Sequence, residues 1–492
     1  MNCLDKDESR ITSAVETVLV ILGLFLLSLI LRLIILSRFD FDGLYGQDAY
    51  AYYNFALELH NGQALSPFFW PWGYPLLLML GFTVFGAHAA VGQAINIILG
   101  AALSPLIYLL ARQMRAGRLS AMVAALLMAI CGQALQSSIV LMSDIPALFW
   151  ALLSAVCLWR YVHRGQSRWL ALAALLLAFA GITRWLYLIL TLPWTAVVLI
   201  NWSGRFRWRD VFIAAGCAGC VLLPQLFVKR ASPYPVLQHE WIVNWSPIHA
   251  IQHEFTNIDG HFNYADINAL YYARPAFDPI YLAPVFTLLA LLGLWVWHRR
   301  FAQAIFLLGW ILLPYLFLIG IPYQNIRFPL ILFPPITLCV GVGLDAAATW
   351  LTPRLRWLAL VGIISVGIGQ SYSAGWPLVN AFIINQQRDR EIAAWAAEQI
   401  PTDGTLYTMG PTLAIRYLAP QLNVREIYNE TPATLEASWE PGHSDYLLLN
   451  VWEINHQWAG RDPQTAALWL QQTRGLTKIG QQGNYTLYRI RG

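Results

Sequence analysis

Charge is scarce in this chain. Of its 492 residues 12% are charged and 58% belong to the hydrophobic set, whereas a soluble domain carries about 25% charged residues. So few charges cannot clothe a water-facing surface, so much of the surface meets lipid. The net charge of +4 is small for this length and gives no basis for nucleic-acid binding. Lysine is almost absent: 3 of the 31 basic residues, the rest being Arg, a bias that carries no functional reading by itself. The six cysteines are Cys3, Cys131, Cys157, Cys217, Cys220 and Cys339, so the polar C-terminal stretch has no disulfide framework. Cys217 and Cys220 form a C-x-x-C inside an apolar run with no further ligands beside it, which reads as lipid-buried rather than redox-active. No G-x-G-x-x-G fingerprint, no H-E-x-x-H, no low-complexity segment and no internal repeat is present. The missing repeat sets the chain apart from the many transporters built from two related halves.

What it does have is long apolar runs. The first, Val15 to Leu36, exceeds the roughly 7–15 residues of a signal-peptide core and no small-residue cleavage site follows it, so it reads as a retained span. With about 20 residues needed per crossing, the runs predict about eleven spans. They start near Val15, His88, Leu119, Asp144, Trp169, Trp185, Val211, Ile280, Phe301, Phe328 and Trp357. Arg clusters fall in alternate connections: Arg112/Arg115/Arg118, Arg160/Arg164/Arg168, Arg205/Arg207/Arg209, Arg299/Arg300 and Arg354/Arg356. Arg-rich short loops stay in the cytoplasm, so the N-terminus is expected inside. The loops 37–87 and 229–279 and the tail 377–492 are then expected outside. The predicted fold is an all-α polytopic membrane domain over 1–376 with a small extracytoplasmic α/β domain over 377–492. In that tail Glu391–Ile400 reads as helix, and Thr405–Met409, Tyr446–Val451 and Tyr485–Ile490 read as strands.

Candidate chemistry gathers on the outer side. Asp40, Asp42 and Asp48 follow the first span. Asp48 opens a stretch in which Tyr52, Phe55, Ala56 and Leu59 share one helical face, suited to lying along the membrane surface. A capping Asp accounts for that position; so does a carboxylate acting as general base at the lipid–water boundary. Pro67-Phe68-Phe69-Trp70-Pro71-Trp72-Gly73-Tyr74-Pro75 is either an interfacial aromatic belt or a rigid platform for a sugar ring or lipid tail, with Trp70, Trp72, Tyr74 and Tyr323 as its candidates. Asp144, in Ser143-Asp144-Ile145-Pro146, stands at the outer end of the fourth span, where Ser143 or Asp144 could cap the helix or Asp144 could join Asp48 in one pocket. Arg184, Lys229, Arg230 and Arg327 are outer-side cations in a chain that keeps most cations inside. Each alone could snorkel to water; together they suit an anionic lipid headgroup. In the second outer loop His249 and His253 are four apart, so one helix face could offer both to a metal. His239, His261, Glu240, Glu254, Asp259 and Asp266 share that loop.

In these features the chain resembles the GT-C class of membrane glycosyltransferases, most closely the family 39 and aminoarabinose-transferase-like group that includes protein O-mannosyltransferases. The motifs are the acidic first loop, Gly73-Tyr74-Pro75-Leu76, Ser143-Asp144-Ile145-Pro146, Gly181-Ile182-Thr183-Arg184, Arg327-Phe328 and Phe333-Pro334-Pro335, with the outer C-terminal domain. The resemblance implies a bacterial plasma-membrane enzyme that moves a sugar from a polyprenyl-phosphate donor to a lipid, glycan or protein hydroxyl, with inversion and without a cofactor. It puts the general base at Asp48. The family's paired Asp-Glu is here Gln47-Asp48, which leaves Asp42 or Asp144 as the partner acid. The donor phosphate falls to Arg184, Lys229, Arg230 and Arg327. Two other classes compete: a transporter or lipid flippase, and a metal-dependent oligosaccharyltransferase-like enzyme.

Overall fold

The computed structural model describes residues 3–38, 40–201, 207–230, 240–437 and 444–491. Arg205 and His239 lie outside these. The helices run α1 (Cys3–Leu36), α2 (Gln47–Asn61), α3 (Gly73–Phe85), α4 (Ala89–Gln113), α5 (Arg118–Ile130), α6 (Gly132–Ile139), α7 (Asp144–Arg164), α8 (Ser167–Thr183), α9 (Thr191–Ile200), α10 (Trp208–Arg230), α11 (Glu240–Val243), α12 (Asn268–Tyr272), α13 (Val285–Trp297), α14 (Phe301–Ile319), α15 (Phe333–Ala348) and α16 (Pro353–Gln399). A two-stranded hairpin, β1 (Glu254–Asn257) and β2 (Gly260–Asn263), stands between α11 and α12.

Among the described residues six helical stretches are long and apolar enough to cross a membrane, in α1, α4, α7, α10, α14 and the Phe328–Ala348 segment. A seventh arises if α5 and α6, bent by 52°, form one crossing. The protein is an integral membrane protein, but the expected count of about eleven spans is not confirmed. The apolar runs fold as shorter pieces at several places: α3, α8, the Trp185–Ile200 segment and α13 each fall below 18 residues. Arg184 explains one break, since its extended backbone (φ −154, ψ 115) ends α8 and a 3-10 turn over Trp185–Leu190 follows. The spans pack on large buried aromatics, among them Trp159, Trp194, Trp297 and Trp310. The Trp194 ring lies 4.9 Å from that of Trp310, and their indoles donate to Ser154 Oγ and the Ile331 carbonyl.

The C-terminal region is an α/β layer, as its strand pattern predicts. Five strands, β3 (Thr405–Thr408), β4 (Asn423–Glu426), β5 (Asp445–Asn450), β6 (Leu476–Gln482) and β7 (Tyr485–Ile490), are ordered β4-β3-β5-β7-β6. The first three are parallel and the last two antiparallel. Strand alternation sorts the core. Tyr446 and Leu448 pack with Ile392, Ala396 and Ile400 of α16, while Leu447 and Leu449 pack with Ala466 and Leu470 on the opposite face. The division expected at 376/377 falls inside α16, which runs unbroken through Pro377 into the sheet layer.

The segment between α1 and α2 docks on this extension. Gln386 donates to Asp42 Oδ1 (2.5 Å) and to the Leu44 carbonyl (2.7 Å), Arg390 pairs with Asp40 and Asp42 (3.0 and 3.5 Å), and Gln47 donates to the Gly410 carbonyl. Tyr50 and Tyr53 of α2 meet Tyr417. Helix α2 is buried on two sides: Tyr52, Phe55 and Ala56 face inward as expected, and so do Ala49, Tyr50 and Tyr53.

At this junction Asp389 of α16 stands within electrostatic reach of Tyr45 and Tyr485. Burial pushes its carboxyl up from 3.8 to about 6, against the pull of Arg388. A carboxyl whose folded pKa is raised binds its proton more tightly when folded. Its contribution is complete below about pH 4 and is lost as pH rises through about 6. Asp389→Asn, neutral throughout, should raise the thermal midpoint at pH 8 by the equivalent of about 1–3 kcal/mol, with the gain shrinking toward pH 4. Unfolding followed in detergent across that range checks both sign and window.

Candidate active site

Four charged side chains meet where α2, α7, the end of α8 and the Phe328–Leu332 turn converge. Asp48 is the second residue of α2, after the Gly46 N-cap (φ 79). Its carboxylate does not cap that helix; it pairs with Arg327 Nη2. The other fork of Arg327 lies 3.8 Å from Asp144 Oδ2. Asp144 Oδ1 in turn accepts from Arg184 Nη1 at 2.6 Å. The order is Asp48–Arg327–Asp144–Arg184, alternating in sign and summing to zero. Side-chain exposure is 3% for Asp144, 17% for each arginine and 23% for Asp48, so Asp48 is the most open to an incoming molecule. Asp144 Oδ2 is buried and accepts no hydrogen bond among the described residues.

Local sequence sets each position. Asp144 begins α7, and Ser143, instead of capping, places Oγ 3.0 Å from the Tyr52 hydroxyl. Gly73 lets α3 start against the end of α8, since a Cβ there would lie 2.6 Å from the Ile182 carbonyl oxygen. That contact holds the Thr183–Arg184 turn. The Phe328 ring carries both guanidiniums, Arg184 at 4.7 Å and Arg327 at 5.9 Å from its centre.

The aromatic motif divides by depth. Tyr74 is wholly buried and meets Tyr52 edge-on at 5.0 Å, so it buttresses Tyr52 and offers no surface to a sugar or lipid. Trp70 (5.4 Å from Tyr52) and Trp72 (5.2 Å from Phe55) are half-buried. Tyr323 stacks on Trp241 at 5.9 Å and stands within electrostatic reach of Asp48, Arg327 and Asp259.

Other expected residues stay apart. Asp42 is taken by Gln386 and Arg390, which leaves Asp144 as the acid sharing Arg327 with Asp48. Arg230 is exposed at the end of α10, and the Lys229 side chain lies outside the described residues. His249 and His253 do not share a helix face: a 3-10 turn over Pro247–Ile251 ends between them. Their Nδ1 atoms donate to the carbonyls of Gly320 (2.7 Å) and Tyr264 (3.1 Å). No three His, Cys, Asp or Glu side chains converge as a metal site among the described residues. Asp48 and Asp144 are each engaged by a guanidinium.

Asp259, unmarked among the loop acids, is the addition. Asn257-Ile258-Asp259-Gly260 is the turn of the β1–β2 hairpin, with Gly260 at φ 110 and Asn257 Oδ1 accepting from the Asp259 N–H (2.8 Å). Asp-Gly between strand-like runs is the signal that would have located it. Tyr428 of the C-terminal region donates to Asp259 Oδ1 (2.9 Å), and Asn257 donates to the Pro322 carbonyl (2.8 Å) beside the Tyr323–Arg327 segment. Burial raises the Asp259 carboxyl; the Tyr428 hydrogen bond opposes this and the Asp48 charge adds to it.

Comparison with solved structures places this architecture. ArnT from Cupriavidus metallidurans bound to undecaprenyl phosphate superposes with a TM-score of 0.57 at 14% identity, covering 97% of this chain and 98% of that one. The apo oligosaccharyltransferase of Archaeoglobus fulgidus gives 0.62 at 14% identity over 89% of this chain and 70% of that one. The mycobacterial arabinofuranosyltransferase AftD gives 0.51 at 15% over 97% and 41%. The fold is that of the GT-C glycosyltransferases. Residues 79–230 also match the family described as dolichyl-phosphate-mannose-protein mannosyltransferase. That stretch holds Asp144 and Arg184, while Asp48 and Arg327 flank it. No curated protein sequence matches the chain.

Removing one partner of a buried ion pair strands the other charge, which costs about 3–5 kcal/mol. Asp144→Ala and Arg184→Ala should each destabilise strongly. The double variant should lose less than the sum by about 0.5–3 kcal/mol. Unfolding measurements on the three variants provide the cycle, and strict additivity would mean that the pair does not form.

Proposed function

We propose that the protein is a glycosyltransferase that moves a sugar from a polyprenyl-phosphate donor to an acceptor hydroxyl at the extracytoplasmic face. The observation carrying this reading is the alternation of two guanidiniums with two carboxylates at a site open through Asp48. The fold shared with ArnT bound to undecaprenyl phosphate supports a lipid-phosphate donor. The outer-side placement rests on the Arg clusters found at the opposite helix ends.

In this reading the donor phosphate exchanges with a carboxylate. Asp48 pairs with Arg327. A phosphate arriving between Arg327 and Arg184 takes over part of the guanidinium fork, as Arg–phosphate geometry favours, and Asp48 is released toward the acceptor. The acceptor oxygen attacks the anomeric carbon from the face opposite the phosphate. Its proton goes to the Asp48 carboxylate. The C–O bond to the phosphate breaks, and the phosphate leaves with the bonding pair, its growing charge met by cations already in place. Attack opposite the leaving group inverts the anomeric centre. Asp144 keeps Arg184 and Arg327 in position. No metal or cofactor is required in this scheme.

Asp48→Asn keeps shape and polarity but takes no proton. It should retain undecaprenyl-phosphate binding and lose about 100- to 10,000-fold in transfer rate. Arg327→Ala should weaken binding of the same lipid by about 10–150-fold. Initial-rate transfer with purified protein, run beside lipid binding, measures both. Uptake into sealed vesicles without transfer would place the protein among transporters instead.

A further inference from the structure

A second polar cavity lies at the far end of α7 from Asp144. Helix α7 has 21 residues, so the two ends stand roughly 30 Å apart and the cavity belongs to the opposite membrane face. It has a volume of about 620 Å³ and is lined by Arg164, Arg168, Arg207, Arg209, Ser167 and Asp210, among others. Asp210 forms its floor. That carboxylate is 1% exposed and faces inward, accepting from the Ser167 hydroxyl at 2.6 Å and the Tyr161 hydroxyl at 3.3 Å.

Four arginines thus surround one buried acid. The one ion pair any of them makes among the described residues is Arg209 Nε to Asp210 at 3.9 Å, a loose contact. The four are exposed. Arg168 is steered rather than neutralised: it donates to Gln166 Oε1 at 3.0 Å and lies over the Trp169 ring. The inside preference for Arg explains why cations stand at this end of the spans; it does not explain why they frame a cavity. At the neighbouring helix ends three arginines are used within the chain. Arg118 pairs with Glu16 at 3.0 Å, and Arg112 and Arg300 donate to the carbonyls of Ala116 and Arg115.

The lipid boundary runs past this cavity. Trp208 and Phe212 on the first turns of α10 are 64% and 72% exposed, and Trp169 stands on α8 beside them. Exposed Trp at a helix end marks the headgroup level. A net excess of three positive charges at that level complements a phosphate on a lipid rather than a soluble partner.

We propose that this cavity binds the headgroup of an anionic phospholipid from the leaflet opposite the Asp48 site, with Arg164, Arg168, Arg207 and Arg209 as its phosphate ligands. The proposal is independent of the sugar-transfer reading. The test is native mass spectrometry of the full-length protein titrated with phosphatidylglycerol and, separately, phosphatidylcholine. Wild type should retain phosphatidylglycerol selectively. Each Arg→Ala change should weaken retention about fivefold, the equivalent of about 1 kcal/mol, so Arg164→Ala/Arg168→Ala/Arg209→Ala should abolish the selectivity, while the three Arg→Lys changes should keep most of it. An unchanged lipid-free thermal midpoint shows that the variants are folded, and Arg209→Ala alone serves if the triple variant is not. Equal retention of both lipids, or retention unaffected by the Ala changes, overturns the proposal. So does displacement of the lipid by excess inorganic phosphate, which would mark a site for the free anion.

Discussion

Two guanidiniums and two carboxylates withdrawn from water must satisfy one another, because each alone would cost several kcal/mol. Asp48, Arg327, Asp144 and Arg184 come from four separate places in the chain, and their mutual pairing fixes how those places meet. The start of α2 cannot drift from the Phe328 turn without stranding Arg327. The break after α8 cannot straighten without withdrawing Arg184 from Asp144. Gly73 and Phe328 are the packing side of the same constraint, one by its lack of a Cβ and the other by its ring beneath both arginines.

The C-terminal layer and the β1–β2 hairpin are tied to this centre by polar contacts. Gln386 and Arg390 of α16 hold Asp42 and Leu44, a few residues before Asp48. The β1–β2 hairpin is held by Tyr428 and Gln457 on one side and by Pro322 on the other. A shift of the C-terminal layer would therefore be felt at both ends of the Asp48–Arg327 pair. This gives the sheet domain a physical connection to the site without its supplying any of the four charges.

Much of this was legible because membrane burial makes charge conspicuous. Asp48, Asp144, Arg184 and Arg327 stand out as ionisable residues at the outer ends of apolar runs, and the structure brings the four together. Arg230 stays apart from the four, exposed at the end of α10. Sequence reasoning overreached with Tyr74, whose aromatic motif does not reveal depth. The spacing of His249 and His253 assumed a helix that the chain does not continue. Span counting rested on apolar length, which does not register a bend such as that at Cys131 or the extended residue at Arg184. Three strands of the C-terminal layer, β3, β5 and β7, were read within a residue, while β4 and β6, at the two edges of the sheet, went unmarked. Asp259 went unmarked because its importance lies in a contact with Tyr428, 169 residues away. Arg32, wholly buried in α1 against Ser28, went unmarked because it stands within an apolar run with no acid near it in sequence.

The central claim is that the Asp48–Arg327 pair opens to admit a lipid phosphate. An experimental structure of the protein with undecaprenyl phosphate bound tests it most directly. The account predicts the phosphate between Arg184 and Arg327, with Asp48 turned away from Arg327 toward the open side of the site. A phosphate bound elsewhere, with the Asp48–Arg327 pair intact, would contradict it.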